Sequence, residues 1–363
     1  MKRVYVYAYT EMNLGDDLFI KVLCERYPDV KFYIMAKVKN SKPFDNIKNL
    51  VVIPKIPWID GLLTKFKVKK SINGLIQRKI SFFCDAIVCI GGSLFIQNRE
   101  WYIKTHQFKN RIVHDKPFFV LGSNFGPYTD DGFIQSFKSI FSSLDDICFR
   151  DEYSYRLFSD LINVRKEADV VFSYKAKYKI KELDKVTISV INLNSRPELA
   201  KYQKEYIEKI VEIAKKFLDN NYAVTLMGFC TAEGDSEIIN KIMENMILKN
   251  NKCIEKYIYK GNINEALDII QESKIIVGSR FHAMILGWLF YKKVYPIIYS
   301  EKSLNVMNDI GFNGPYINIK DIEQLDFESD YKKLLETPTI MINKEINSAN
   351  QQFKKLDELL LNS

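Results

Sequence analysis

The amino-acid sequence predicts an α/β fold made of two Rossmann-like domains, each with a mostly parallel sheet, facing a cleft. Three observations carry this. Short runs rich in β-branched and aromatic residues recur between longer helix-like runs, the rhythm of repeated βαβ units. The series pauses once, at the charged and weakly periodic stretch KAKYKIKELDK after Tyr174, and then resumes, so that stretch reads as a linker between similar halves. The 363 residues suffice for two cores, and 47% hydrophobic with 27% charged residues is the balance of a folded chain.

Taken in order, the first half offers strands at RVYVYAY (3–9), VKFYIMA (30–36), NLVVIP (49–54), DAIVCIG (85–91), PFFVLGS (117–123) and DICFR (146–150), with helices in the gaps. The second half offers KVTISVINL (185–193), YAVTLMGF (222–229), KCIEKYIY (252–259), KIIVGS (274–279) and KVYPIIY (293–299), with a helix over 201–219. The expected domains are therefore 1–175 and 176–330, followed by a terminal segment 331–363. The end of that segment, KEINSANQQFKKLDELLLNS, reads as one amphipathic helix.

Composition narrows the function classes. Six cysteines, Cys24, Cys84, Cys89, Cys148, Cys230 and Cys253, lack C-x-x-C spacing and several fall in apolar strand-like runs. They read as reduced core residues, neither disulfides nor metal ligands, and no metal site is expected. The first apolar run is broken by Thr10 and Glu11, and no run of about 20 apolar residues follows, so a cytoplasmic protein is expected. A formal charge of +8 suits acidic partners. No nucleic-acid module is recognisable, and no G-x-G-x-x-G follows a strand, which argues against nucleic acid and dinucleotide ligands.

In open parallel sheets, ligands gather where strands end and helices begin. After the first strand, Gly15 permits a tight turn and Asp16 or Asp17 can cap the next helix. After the fourth, Gly91, Gly92 and Ser93 present backbone N–H groups, as either a bare turn or a binding loop. LGSNFGPY (121–128) breaks sharply at the end of the fifth strand. Arg150 ends the sixth, as a surface ion-pair partner or an anion clamp. The fullest site is VGSRFHAMILGWLF (277–290), where a buried helix begins with Arg280 and His282. A helix N-terminus suits phosphate or carboxylate, Arg adds a planar fork, and His holds or gives a proton near neutral pH. Lys302 then opens the helix after KVYPIIY, either as a surface lysine or as one more strand-end cation.

These residues, in this order, resemble the polysaccharide pyruvyl transferase family. The resemblance rests on Asn13-Leu14-Gly15-Asp16-Asp17, Gly91-Gly92-Ser93, Gly126-Pro127-Tyr128, Phe149-Arg150-Asp151-Glu152-Tyr153-Ser154, an A-D-x-x-F strand at Ala168–Phe172, Glu233-Gly234-Asp235, Gly278-Ser279-Arg280-Phe281-His282-Ala283 and Tyr299-Ser300-Glu301-Lys302. Asp17 stands where the family usually has Glu, and Ser93 where a third glycine is common. The resemblance implies a two-domain fold similar to GT-B glycosyltransferases, phosphoenolpyruvate as co-substrate with no further cofactor, and a saccharide acceptor, nucleotide-linked or lipid-linked, that receives a pyruvate ketal. It makes the first domain the acceptor side and the second the donor side. His282 and Arg280, with Asp16 or Asp17, become catalytic candidates. Arg150, Arg280, His282, Lys302 and Ser279 fall to the donor, and Gly15, Asp16, Asp17, Gly91, Gly92, Ser93 and Asn124 to the acceptor.

One stretch bears on the acceptor. WIDGLLTKFKVKKSINGLIQRKISFF (58–83) interleaves basic and apolar residues, which reads either as a solvated basic helix or as a peripheral contact with an anionic membrane surface. Two other functions fit the same fold: a GT-B-type glycosyltransferase using a sugar nucleotide, and a non-catalytic saccharide- or phosphate-binding protein.

Overall fold

Strands apolar along their whole length must be covered on both faces, and that requirement sets the architecture. Ala86–Ile90 and Phe118–Ser123 are buried at every position, as is Asp146–Phe149. In the computed structural model, which describes residues 1–57, 71–113, 115–245 and 251–361, the chain divides into two units. Unit 1 holds Met1–Glu11, Asp16–Ser173 and Lys344–Ser363, and unit 2 holds Met12–Gly15 and Tyr174–Asn343.

Unit 1 is built on seven parallel strands: β1 (Arg3–Tyr7), β2 (Lys31–Ala36), β3 (Leu50–Pro54), β4 (Ala86–Ile90), β5 (Phe118–Ser123), β6 (Asp146–Phe149) and β7 (Val164–Lys166). Their order is β3-β2-β1-β4-β5-β6-β7, so the winding direction reverses between β1 and β4. Helices α1 (Leu14–Arg26), α2 (Ile72–Phe82), α3 (Trp101–Lys109), α4 (Asp131–Phe141) and α5 (Glu152–Leu157) connect them. The abundant phenylalanines are spent here. Phe95 meets Phe137 and Phe141 edge-on at 5.1 Å, and Phe125 meets Phe158 at 4.8 Å, the geometry aromatic quadrupoles favour.

Unit 2 repeats the plan with β8 (Leu183–Val190), β9 (Ala223–Gly228), β10 (Ile254–Ile258), β11 (Ser273–Gly278), β12 (Lys293–Ile298) and the short β13 (Ile317–Asn318). The order β10-β9-β8-β11-β12-β13 reverses between β8 and β11. Its helices are α6 (Gln203–Asp219), α7 (Asp235–Met243), α8 (Ile263–Glu272), α9 (Phe281–Leu289), α10 (Glu301–Asp309) and α11 (Phe327–Glu336). Helix α9 is buried at every position but His282.

The structure departs from the sequence reading in several places. The strand expected at Ala168–Phe172 lies earlier, at β7. The Asp169 carboxylate accepts the Val171 N–H at 2.8 Å and turns residues 170–173 into a buried 3₁₀ turn. The first helix is capped by Asn13, whose side-chain oxygen accepts the Gly15 N–H at 3.1 Å, and not by Asp16 or Asp17, which lie inside its first turn. The terminal amphipathic helix is two helices, α12 (Asn343–Gln351) and α13 (Lys354–Leu360), separated at Gln352 and Phe353, both fully buried. Segment 331–363 is shared between the units at 343/344. Cys253 is exposed while the other five cysteines are buried. Of the basic stretch 58–83, residues 58–70 lie outside the described residues.

Candidate active site

The strand ends of each unit gather a polar cluster. In unit 1, residues after β4, β5 and β6 converge on Arg150. Its Nη1 donates to Asp169 at 2.8 Å and its Nη2 to the Asn124 side-chain oxygen at 2.7 Å. Ser93 Oγ donates to that same Asn124 oxygen at 3.2 Å, and the Asn124 N–H reaches the Gly92 carbonyl at 2.8 Å. A Cβ on Gly92 would stand 2.7 Å from Arg150 Nη1, so only glycine lets the guanidinium lie against this loop. Asp16 Oδ1 borders Gly91. Of the two adjacent carboxylates, Asp17 is wholly enclosed and Asp16 is half-buried.

The R-D-x-x-S segment has a local cause. Asp151 caps α5 by accepting the Ser154 N–H at 2.8 Å, and Ser154 Oγ in turn accepts the Phe125 N–H at 2.8 Å, pinning the loop that carries Asn124. Burial raises the Asp151 carboxyl above its ordinary value, although the Ser154 N–H and Arg150 pull against that.

In unit 2 the cluster centres on Arg280. It is the N-cap of α9, not a residue of its first turn, and its backbone N–H donates to Ser189 Oγ at 3.1 Å. The guanidinium, 6% exposed as a residue, is closed on the chain's own carboxylates. Nε and Nη2 form a fork on Asp235, with Nε at 3.1 Å, and Nη1 reaches Glu233 at 2.6 Å. Asp235 also accepts the N–H groups of Phe229 and Cys230 at 2.9 Å each. Burial opposes ionisation of Glu233, but Arg280 and Arg196 outweigh it and bring its carboxyl down to about 2. Burial likewise opposes charge on Arg280, and the two carboxylates more than restore it.

Around this chain of charges sit the remaining groups. Arg196 donates to Glu233 at 3.0 Å and lies over the Tyr299 ring at 5.0 Å. Lys302 Nζ stands 5.9 Å from the same ring and 5.5 Å from that of Phe281, which His282 meets edge-on at 5.1 Å. Burial works against ionising Tyr299, but Lys302, Arg196 and Arg280 hold its hydroxyl below the usual phenol value. Ser279 is buried, and its hydroxyl accepts that of Tyr206 at 2.8 Å.

The Asn13-Leu14-Gly15 segment, the cap and first residues of α1, belongs to this unit. Leu14 N–H bonds the Phe229 carbonyl at 3.1 Å, and Asn13 reaches Glu233 at 3.5 Å. A Cβ on Gly15 would fall 1.9 Å from His282 Nδ1. The structure thus groups Gly15, read as acceptor-side, with His282. It groups Arg150, read as donor-side, with Gly91, Gly92, Ser93 and Asn124. Sequence reasoning passed over Arg196, although it stands in the loop after β8, a strand end like the others. Glu233, Asp235 and Tyr299 belong to the sequence motifs, but nothing in the sequence gives them partners.

Among the described residues, no group of three His, Cys, Asp or Glu side chains could hold a metal ion, and no helix is long and apolar enough to cross a membrane. A curated relative, the amylovoran biosynthesis protein AmsJ of Erwinia amylovora, is 21% identical over 62% of this chain, and the match spans 60% of that relative's length. Among solved structures, MnaA of S. aureus in complex with UDP superposes with a TM-score of 0.61 at 12% identity, over 99% of this chain and 97% of that one. The UDP-GlcNAc 2-epimerase of Methanocaldococcus jannaschii gives 0.57 at 10%, covering 98% and 99%. Anabaena HepE, in complex with UDP and glucose, gives 0.54 at 8%, covering all of both chains. These likenesses carry the fold, two α/β units of the GT-B kind. Residues 13–301, more than half of the chain, match the profile described as polysaccharide pyruvyl transferase, and the chain belongs to that family.

Proposed function

We propose that the protein transfers the pyruvyl group of phosphoenolpyruvate to a saccharide as a ketal, during synthesis of a cell-surface polysaccharide at the inner face of the membrane. The observation that carries this is the placement of His282 at the start of a buried helix, flanked across the Phe281 ring by Lys302, in a chain of the pyruvyl transferase family. The phosphate and carboxylate of the donor call for fixed cations and helix N-termini.

The chemistry needs one proton donor and one proton acceptor. His282 gives a proton to the methylene carbon of phosphoenolpyruvate, which leaves the adjacent carbon electron-poor. A sugar hydroxyl attacks that carbon and loses its proton to a base; of the two candidate carboxylates, Asp16 is half-buried and Asp17 enclosed. The C–O bond to phosphate then breaks, and a second hydroxyl attacks the same carbon. Its proton leaves with the phosphate, so one donor and one diol give one ketal and one inorganic phosphate. Lys302 in unit 2 and Arg150 in unit 1 are each candidates for the donor's anionic groups. The Gly91–Ser93 loop and Asn124 are assigned to sugar hydroxyls. Arg280, held by two carboxylates, sets the backbone from which His282 and Ser279 project.

The acceptor is proposed to be membrane-bound. Helix α2 turns Leu75, Arg78, Lys79 and Phe82 outward at i, i+3, i+4 and i+7, and Phe83 follows. Phe82 is 60% exposed. A stripe of aromatic, aliphatic and basic side chains facing water suits an anionic lipid surface. The test is phosphate release from phosphoenolpyruvate that depends on added lipid-linked or nucleotide-linked saccharide. Release of a nucleoside diphosphate from a sugar nucleotide, with none of phosphate, would instead establish a glycosyltransferase.

A further inference from the structure

The turn between α12 and α13 buries Gln352 completely inside unit 1. Both ends of its amide are used. Oε1 accepts the Gly122 backbone N–H at 3.0 Å. Nε2 shares its hydrogens over the carbonyls of Ala168 at 3.0 Å, Glu167 at 3.3 Å and Phe149 at 3.4 Å. Each of these backbone groups lies one or two residues before a member of the Arg150 cluster. Gly122 precedes Ser123 and Asn124, Phe149 precedes Arg150, and Ala168 precedes Asp169. A single side chain from the end of the chain therefore ties together the three segments that place the Arg150 guanidinium between Asn124 and Asp169.

The neighbouring bonds fix the backbone that carries the amide. Arg165 donates to the carbonyls of Gln351 and Gln352 at 2.6 Å each, and Ser348 Oγ accepts the Ala168 N–H at 2.8 Å. The Arg165 guanidinium is held in turn by both oxygens of Asp146, at 2.7 and 2.8 Å. Sequence alone gives Gln352 no more than a place in an amphipathic run. Its burial and its backbone partners show that it does more than cover a core.

We infer that Gln352 is a positioning residue for Arg150: it sets the register of three segments so that the guanidinium meets the donor's anion at a fixed angle. The inference rests on Arg150 binding phosphoenolpyruvate. An apolar substitute strands one buried N–H and the carbonyls that shared the amide, and those segments shift to find other partners.

The experiment compares Gln352→Leu and Gln352→Glu with Asp357→Asn. Asp357 anchors α13 through Arg26 and Tyr27, at 2.6 to 2.9 Å, away from Arg150. Phosphoenolpyruvate binding is read by calorimetry, turnover by kcat and KM, and fold by thermal unfolding. Gln352→Leu is expected to weaken donor binding and raise its KM about tenfold, with kcat within about threefold of wild type. Gln352→Glu keeps the bond from Gly122 but loses both donors, and is expected to shift the same way by less. Asp357→Asn, at a comparable loss of thermal stability, is expected to leave donor binding unchanged. Donor binding unaltered in both Gln352 variants, or weakened equally in Asp357→Asn, overturns the inference. Wild-type protein that binds no phosphoenolpyruvate overturns the reading of Arg150, and with it the inference, by a different observation.

Discussion

Arg280 and His282 stand one residue apart and differ in what their loss would do. Arg280 is enclosed with two carboxylates, so Arg280→Ala leaves buried negative charge uncompensated and is expected to cost about 3–5 kcal/mol of stability by chemical denaturation. His282→Ala is expected to cost about 1 kcal/mol while kcat falls about 10²- to 10⁴-fold. A His282→Ala protein with near-normal turnover removes His282 from the mechanism. Gly15→Ala tests the same imidazole from the other side. The added methyl overlaps the His282 ring, and a displacement of about an ångström is expected to lower kcat about 10²-fold in a folded protein. Glu233 adds a pH signature. Its carboxyl is lowered from 4.5 to about 2, so the stability it contributes is whole above pH 4.5 and is lost as pH falls toward 2. Thermal melts across that window should show a shallower slope for Glu233→Gln than for wild type. The charged motif residues Glu233, Asp235 and Arg280 were all visible in the sequence. Their mutual pairing was not, because it depends on the turn at Gly234 bringing α7 against the start of α9.

At the scale of elements, the strands buried on both faces were legible because nothing but a sheet covered by helices accommodates runs such as AIVCI and FFVLG. The boundaries that failed did so where a side chain rewrote the backbone. Asp169 turned an apolar run into a 3₁₀ turn, and Gln352 split an amphipathic run by taking its hydrogen bonds from three other segments. Helix α2 shows a further limit of periodicity. Its pattern declares an amphipathic helix, but which stripe faces water is a property of the packed unit, and the water-facing stripe includes Leu75 and Phe82. The expected consequence is sedimentation with anionic liposomes at low salt that weakens as salt rises. A double substitution, Phe82→Ser with Phe83→Ser, should reduce it several-fold with phosphate release from soluble acceptors retained. Equal sedimentation of the double variant would mean that α2 is not the contact.

For the whole molecule, two sheets that share a strand order, apart from the additional β7 of unit 1, explain why candidate residues recur at equivalent places, after β4 and β5 in one unit and after β11 and β12 in the other. That recurrence, and the ordered motifs, made the fold and the family readable from residues alone. The grouping of those motifs was not readable, since Asn13-Leu14-Gly15 at the start of the chain joins unit 2 and Gln352 near its end joins unit 1. Such exchanges follow from tertiary contacts far apart in sequence, which no local pattern encodes. The proposed reaction turns on protonation of an enol phosphate and capture of its carbon by sugar hydroxyls. The most direct measurement is the mass of the saccharide acceptor after incubation with phosphoenolpyruvate in D₂O. Ketal transfer adds to the acceptor the mass of one pyruvic acid less one water, with a single deuteron in the new methyl group, and releases an equal amount of inorganic phosphate. An acceptor that gains the ketal without deuterium, or stays unchanged while phosphoenolpyruvate is intact, would contradict it.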